Sequence, residues 1–337
     1  MTWTPNRRAV IGGLGLGALA TLTPTAFAQA APKLVIIGGG FGGATAARQL
    51  KHLIPNADVT LIEPNATYAS CPFSNLVVSG DRDLSAQLFR YDALREDDIT
   101  LLHIRASDVD ADARQITLDD AVQIAYDRLV LSPGVDMRWN AIEGYDAAAA
   151  NRLPHAWKAG AQTTLLRDQL HAMEDGGLVV MTAPPAPYRC PPGPYERASL
   201  IAHYLKTQKP KSKLIILDAK DDFSKMPLFQ AAWALEYPEH LEWRSASNDG
   251  RVSRVDAETM TVSTDFEDIT AAVINVIPPQ KAGAIADAAD VTDATGWCPI
   301  DPITFESTRQ ENIHVIGDAT IAAPMPKSAF SANLQGK

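Results

Sequence analysis

The stretch Lys33–Glu63, KLVIIGGGFGGATAARQLKHLIPNADVTLIE, decides the fold. The apolar run Leu34-Val35-Ile36-Ile37 meets a cluster of glycines. Ala44 to Leu53 has helical composition, and Val59-Thr60-Leu61-Ile62 is a second strand ending at Glu63. This order predicts one βαβ unit. Within Gly38-Gly39-Gly40-Phe41-Gly42-Gly43 lies G-x-G-x-x-G, and an acidic residue, Glu63, follows at the dinucleotide-binding distance of about 20 residues. Gly38 permits the tight turn, Gly40 lets backbone approach a pyrophosphate, and Gly43 allows helix and strand to pack closely. A helix N-terminus favours the phosphates, and Glu63 is placed to hold the ribose hydroxyls.

The architecture then repeats. Leu178-Val179-Val180-Met181 reads as a strand, Tyr195 to Lys206 as a helix, and Leu214-Ile215-Ile216-Leu217 as a strand ending at Asp218. Between the units lie a strand signal at Ile99 to Ile104, a hairpin-like stretch from Gln115 to Ile124, and Leu129-Val130-Leu131 running into Ser132-Pro133-Gly134. Glu242 to Val262 reads as β-hairpin material. Ala272 to Ile277 is a strand stopped by Pro278-Pro279, and Ile313 to Ile316 a last strand before Gly317-Asp318. The expectation is an α/β chain with two Rossmann-like domains in the manner of glutathione reductase. Residues 31–155 and 280–337 would form a discontinuous FAD-binding domain, and residues 156–279 a second Rossmann-like domain.

NAD and FAD share the glycine fingerprint, so the choice rests on Ile313-His314-Val315-Ile316-Gly317-Asp318-Ala319. A terminal strand followed by Gly-Asp resembles the flavin-ribityl contact of flavoproteins with two dinucleotide domains, which places Gly317, Asp318 and, from the earlier strand end, Gly134 at the cofactor. In the second unit, Thr182-Ala183-Pro184-Pro185-Ala186-Pro187 stands where a nicotinamide-binding glycine loop belongs. Prolines remove N–H donors and stiffen the loop, so no NAD(P) is expected there. Cys190 sits in the same loop, close to the expected helix start, where a helix N-terminus can lower a thiol pKa. Glu196 is the candidate proton acceptor beside it. Cys71, in Ser70-Cys71-Pro72, follows the first unit where flavoproteins of this architecture place residues over the isoalloxazine ring.

The 337 residues are 46% hydrophobic, enough for about two domains, and the formal charge of −10 makes nucleic acid an improbable partner. Arg7-Arg8 before a weakly apolar, glycine-rich run from Ala9 to Leu22 reads as a twin-arginine export signal over residues 1–30, implying a periplasmic protein. That run is too short for a stable membrane span. Three cysteines cannot make a disulfide framework, and no CxxCH haem site exists, so any haem belongs to another chain. The seven histidines show no metal-ligand spacing, and no metal is expected.

Taken together, Gly38 to Gly43, Glu63, Ser70-Cys71-Pro72, Leu153 to Gly160, Arg189-Cys190-Pro191-Pro192-Gly193-Pro194-Tyr195-Glu196-Arg197, Gly296-Trp297-Cys298-Pro299, Gly317-Asp318 and Pro324 to Ser328 closely resemble the flavoprotein subunit of flavocytochrome c sulfide dehydrogenase. The resemblance implies FAD attached through an 8α thioether at Cys71 and a redox disulfide whose first member is Cys190. It further implies electrons passed singly to a c-type cytochrome subunit. Family chains continue into a C-terminal interface domain carrying the second redox cysteine, whereas this sequence stops at Lys337, so that domain is expected to be absent. Cys298 matches a cysteine that the family has in addition to its redox pair, and the partner of Cys190 stays open.

The leading expectation is oxidation of sulfide, or another small reduced sulfur compound, with cytochrome c as acceptor. A flavin-binding accessory or inactive homologue supporting thiosulfate oxidation is the second. A quinone-reducing sulfide enzyme is the third, and would need a membrane-surface anchor that the sequence does not show.

Overall fold

The computed structural model describes residues 30–337, and the export signal expected over residues 1–30 lies, but for its last residue, outside them. Two parallel sheets organise the chain. In the first, the strand Lys33–Ile37 pairs on one side with Asp58–Ile62, which in turn pairs with Thr100–Leu102. On its other side it pairs with Arg128–Leu131, and the late strand Ile313–Val315 closes that edge. A segment near the end of the chain thus completes a sheet begun at its start, which brings Gly317-Asp318 beside the glycine loop. The helix Phe41–Leu53 makes the crossover between the first two strands.

The second sheet repeats the pattern with Leu178–Ala183 at its centre, flanked by Lys213–Asp218 and Val273–Val276. The helix Gly193–Gln208 is its crossover. Both sheets are buried on two faces, as all-parallel sheets must be. Leu129, Leu131 and Val315 face one core of the first sheet, while Ile36 and Leu61 face another. In the second sheet Val179 and Met181 meet the helix side, and Val180 and Ile274 the opposite core.

One expectation is corrected. Glu242 to Val262 is not hairpin material throughout: Leu241–Arg244 is a parallel edge strand on Lys213–Asp218, and only Arg254–Asp256 and Thr261–Ser263 form the hairpin. An edge strand has one partner and half-exposed side chains, so its alternating pattern reads like a hairpin arm. Among the described residues, no helix is long and apolar enough to cross a membrane, and no group of three or more His, Cys, Asp or Glu could hold a metal ion.

Candidate functional site

Of the three glycines of the G-x-G-x-x-G pattern, Gly38 and Gly43 serve close packing and Gly40 faces open space. Gly38 has φ +100°, and a Cβ there would stand 2.3 Å from the Ser132 carbonyl oxygen. A Cβ on Gly43 would stand 1.9 Å from the Gly38 oxygen. Gly40, by contrast, has an ordinary φ of −73° at the helix N-cap, and a Cβ would meet nothing closer than 3.7 Å. Protein packing does not explain the missing side chain at Gly40, whereas a pyrophosphate drawn against the helix N-terminus does. Glu63 is fixed beside the loop: its Oε2 accepts from the Gly39 amide at 2.9 Å, and its Oε1 accepts from the Asn65 amide and side chain.

A cavity of about 530 Å³ runs from this loop to Cys190. Every residue proposed from the sequence borders it except Gly43, which packs behind the loop: Gly38, Gly40, Glu63, Cys71, Gly134, Cys190, Glu196, Gly317 and Asp318. Asp318 is buried, and its Oδ1 has no hydrogen-bond partner within the protein. A buried carboxylate oxygen without a donor is costly, and the ribityl hydroxyls of a flavin would supply one. The open face at Gly40, the placed carboxylate of Glu63 and the orphaned oxygen of Asp318 together fit FAD.

Arg189, which sequence reasoning quoted without assigning a role, lines the cavity. Its Nε donates to Asp318 Oδ2 at 2.6 Å, and its Nη1 stands 3.6 Å from the Cys71 sulfur. Burial is the largest single influence and works against its charge, but Asp318, Cys71 and Tyr68 together hold the guanidinium above its ordinary value. The only signal was its place beside Cys190; the partner that gives it meaning is 129 residues away.

Cys190 has φ +58°, a left-handed conformation uncommon for a residue with a Cβ and typical of functional positions. Its amide donates to the Lys327 carbonyl at 2.8 Å, and its carbonyl accepts from the Gly193 amide. The expected lowering of its pKa does not occur. Burial, followed by the negative charge of Glu196, pushes the thiol up to about 11, while the Gly193 hydrogen bond acts only weakly in the other direction. The sulfur stands against Gly193 at the start of the helix, so burial and the Glu196 charge outweigh what the helix start contributes. All three cysteines are free. Cys298 is fully buried in the core of the first sheet, where burial pushes its thiol up to about 12, and it does not border the cavity.

In the second unit, the carboxylate at the position corresponding to Glu63 is satisfied within the protein. Asp218 is fully buried and accepts from Tyr195 Oη at 2.7 Å, Trp243 Nε1 at 3.0 Å and Lys220 Nζ. Tyr195 stacks on Phe223 with ring centroids 3.6 Å apart, and Trp233 and Trp243 extend the cluster.

The family described as "Sulfide dehydrogenase [flavocytochrome c] flavoprotein chain, central" matches residues 163–278, and "Pyridine nucleotide-disulphide oxidoreductase" matches residues 32–170. The sulfide dehydrogenase flavoprotein chain of Chlorobaculum thiosulfatiphilum is 51% identical over 45 residues, covering 13% of this chain and 94% of that sequence. The mitochondrial sulfide:quinone oxidoreductase of Mus musculus is 23% identical over 325 residues, 90% of this chain and 68% of its own length. Among solved structures, the sulfide:quinone oxidoreductase of Aquifex aeolicus has a similar fold, with TM-score 0.76 at 19% identity over 91% of this chain and 75% of that one. Sequence match and shared fold agree: the chain belongs to the FAD-binding, sulfide-oxidising flavoproteins related to the disulfide reductases, in the family of the flavocytochrome c sulfide dehydrogenase flavoprotein chain.

Proposed function

We propose that this chain oxidises sulfide at Cys190 and delivers the electrons to a c-type cytochrome subunit in the periplasm, after twin-arginine export. The observation that carries this reading is the meeting of Cys71, Cys190 and the dinucleotide loop in one cavity. Gly40 and the helix N-terminus would hold the pyrophosphate, Glu63 a ribose, Asp318 and Gly317 the ribityl chain, and Cys71 the ring through a thioether. FAD, when bound, supplies a two-electron acceptor that can release its electrons one at a time.

Around that group the protein's own residues handle sulfur and protons. Hydrosulfide gives up two electrons and one proton, and its sulfur leaves as sulfane or polysulfide. The Cys190 S–H bond breaks with its proton passing to Glu196, and its sulfur joins the hydrosulfide sulfur as a persulfide; the two electrons released would go to bound FAD and the second proton to solvent. Arg189 holds Asp318 in place. The second unit donates no electrons in this scheme, because Asp218 and Tyr195 are occupied with each other and with the aromatic cluster.

The quinone-reducing reading also has a specific observation in its favour, since the mouse sulfide:quinone oxidoreductase aligns over 90% of this chain. Steady-state reduction of a c-type cytochrome and of a soluble quinone, each driven by sulfide, separates the two. Cytochrome reduction with negligible quinone reduction is expected, and the reverse would replace the acceptor. A flavin-loaded protein inert towards both would favour the accessory role.

A further inference from the structure

Asn75 stands between two side chains with opposite hydrogen-bonding demands. Its amide oxygen accepts from Arg197 Nε at 2.9 Å. Its amide nitrogen donates to Glu196 Oε2 at 2.6 Å and to the Gly193 carbonyl at 3.2 Å. A guanidinium has donors only, so the amide oxygen must face Arg197. The Gly193 carbonyl independently requires a donor on the other side. With the amide turned this way, Glu196 Oε2 can only accept.

Arg197 cannot turn to relax the constraint. It is 2% exposed, and its remaining nitrogens donate to the His155 carbonyl, the Asn275 side chain and the Ala156 carbonyl at 3.1, 2.9 and 2.6 Å. Its guanidinium also lies over the Trp157 ring at 4.8 Å. Each of these acceptors is neutral, so a fixed positive charge sits one amide away from Glu196.

We propose that Arg197 and Asn75 form a one-way hydrogen-bond relay that fixes Glu196 Oε2 as an acceptor beside the Cys190 thiol, making Asn75 a positioning residue for proton removal. The proposal deepens the reading of Glu196 as proton acceptor and rests on it. The ionisable groups around Glu196 are Cys190 and Arg197, and Cys71 and Asp318 act on the same thiol. Glu196 itself is exposed to the cavity, which gives the proton a way out. Asn75 belongs to the helix Ser74–Ser79 that follows Cys71, so the relay also ties the two cysteine-bearing segments together.

The substitution Asn75→Asp keeps the shape and gives Arg197 a charged acceptor, but it turns an oxygen towards Glu196 Oε2. Two carboxylates in contact do not both stay ionised readily. Infrared spectra of protein carrying ¹³C-labelled glutamate should show no protonated-carboxyl band from Glu196 near neutral pH in the wild type. Asn75→Asp should show one, absent from the Asn75→Asp/Glu196→Gln double variant. Sulfide-dependent reduction per bound flavin should fall at least about tenfold near neutral pH and recover as pH rises. A protonated Glu196 in the wild type would overturn the relay whether or not the variant folds, and so would an Asn75→Asp protein with the wild-type spectrum and pH profile. A wild-type protein unable to oxidise sulfide would remove the proposed function and leave the infrared result to decide the relay.

Discussion

The Arg189 guanidinium and the Asp318 carboxylate form an ion pair with Nε and Oδ2 2.6 Å apart and side chains only 17% and 11% exposed. Removing one member of such a pair strands the other charge in a poorly hydrated site. Arg189→Met should therefore cost about 3–5 kcal/mol of stability, read by chemical denaturation of the flavin-free protein. Asp318→Asn should cost flavin retention as well, because it alters the oxygen that has no partner within the protein.

The two kinds of glycine separate folding from cofactor binding. Gly43→Ala drives a Cβ into the Gly38 carbonyl and should lower both stability and flavin content. Gly40→Ala meets no protein atom closer than 3.7 Å. It should leave the melting temperature of the flavin-free protein within a few degrees of wild type while flavin content after reconstitution collapses.

The Cys190 thiol, raised to about 11 by burial and then by the Glu196 charge, should alkylate slowly with iodoacetamide near pH 8 and speed up towards the raised value. Glu196→Gln removes the repelling charge and should shift that alkylation profile to lower pH. The same variant should slow sulfide-dependent flavin reduction by roughly 100-fold, because the proton acceptor is gone. Opposite signs in the two assays distinguish a base from a merely structural carboxylate.

His155 is buried, and its pKa falls to about 4, chiefly through loss of hydration and then through Lys158 and Arg197. Its Nδ1 accepts from the Trp157 amide at 2.9 Å, which requires that nitrogen to be unprotonated. An unfolded histidine binds its proton near pH 6.5. The stability held by the neutral ring is thus fully present above that value and lost as pH falls towards 4. The loss should reach about 3 kcal/mol, measured as unfolding free energy against pH, and His155→Asn should flatten that part of the curve.

How much the sequence revealed depended on whether a residue acts through local pattern or distant contact. Gly38, Gly40, Gly43 and Glu63 were legible because the strand, turn and helix that give them meaning are contiguous. Gly317-Asp318 was legible from its position after a last short strand. Arg189 and Arg197 appeared inside a quoted segment without roles and Asn75 was not singled out, since Arg189 needs Asp318 and Asn75 needs Glu196 and Arg197, over a hundred residues further on. The packing of Tyr195, Phe223 and Trp243 around Asp218 was hidden for the same reason. The direction of the Cys190 shift was misread because a nearby helix start suggested a dipole effect, while burial and Glu196, both products of the fold, dominate.

The most direct test of the central claim is anaerobic stopped-flow mixing of sulfide with flavin-loaded wild-type protein and with Cys190→Ser. The account predicts rapid bleaching of the flavin in the wild type and a loss of at least about 100-fold in the rate for the variant. No bleaching in the wild type, or equal bleaching in both proteins, would contradict it.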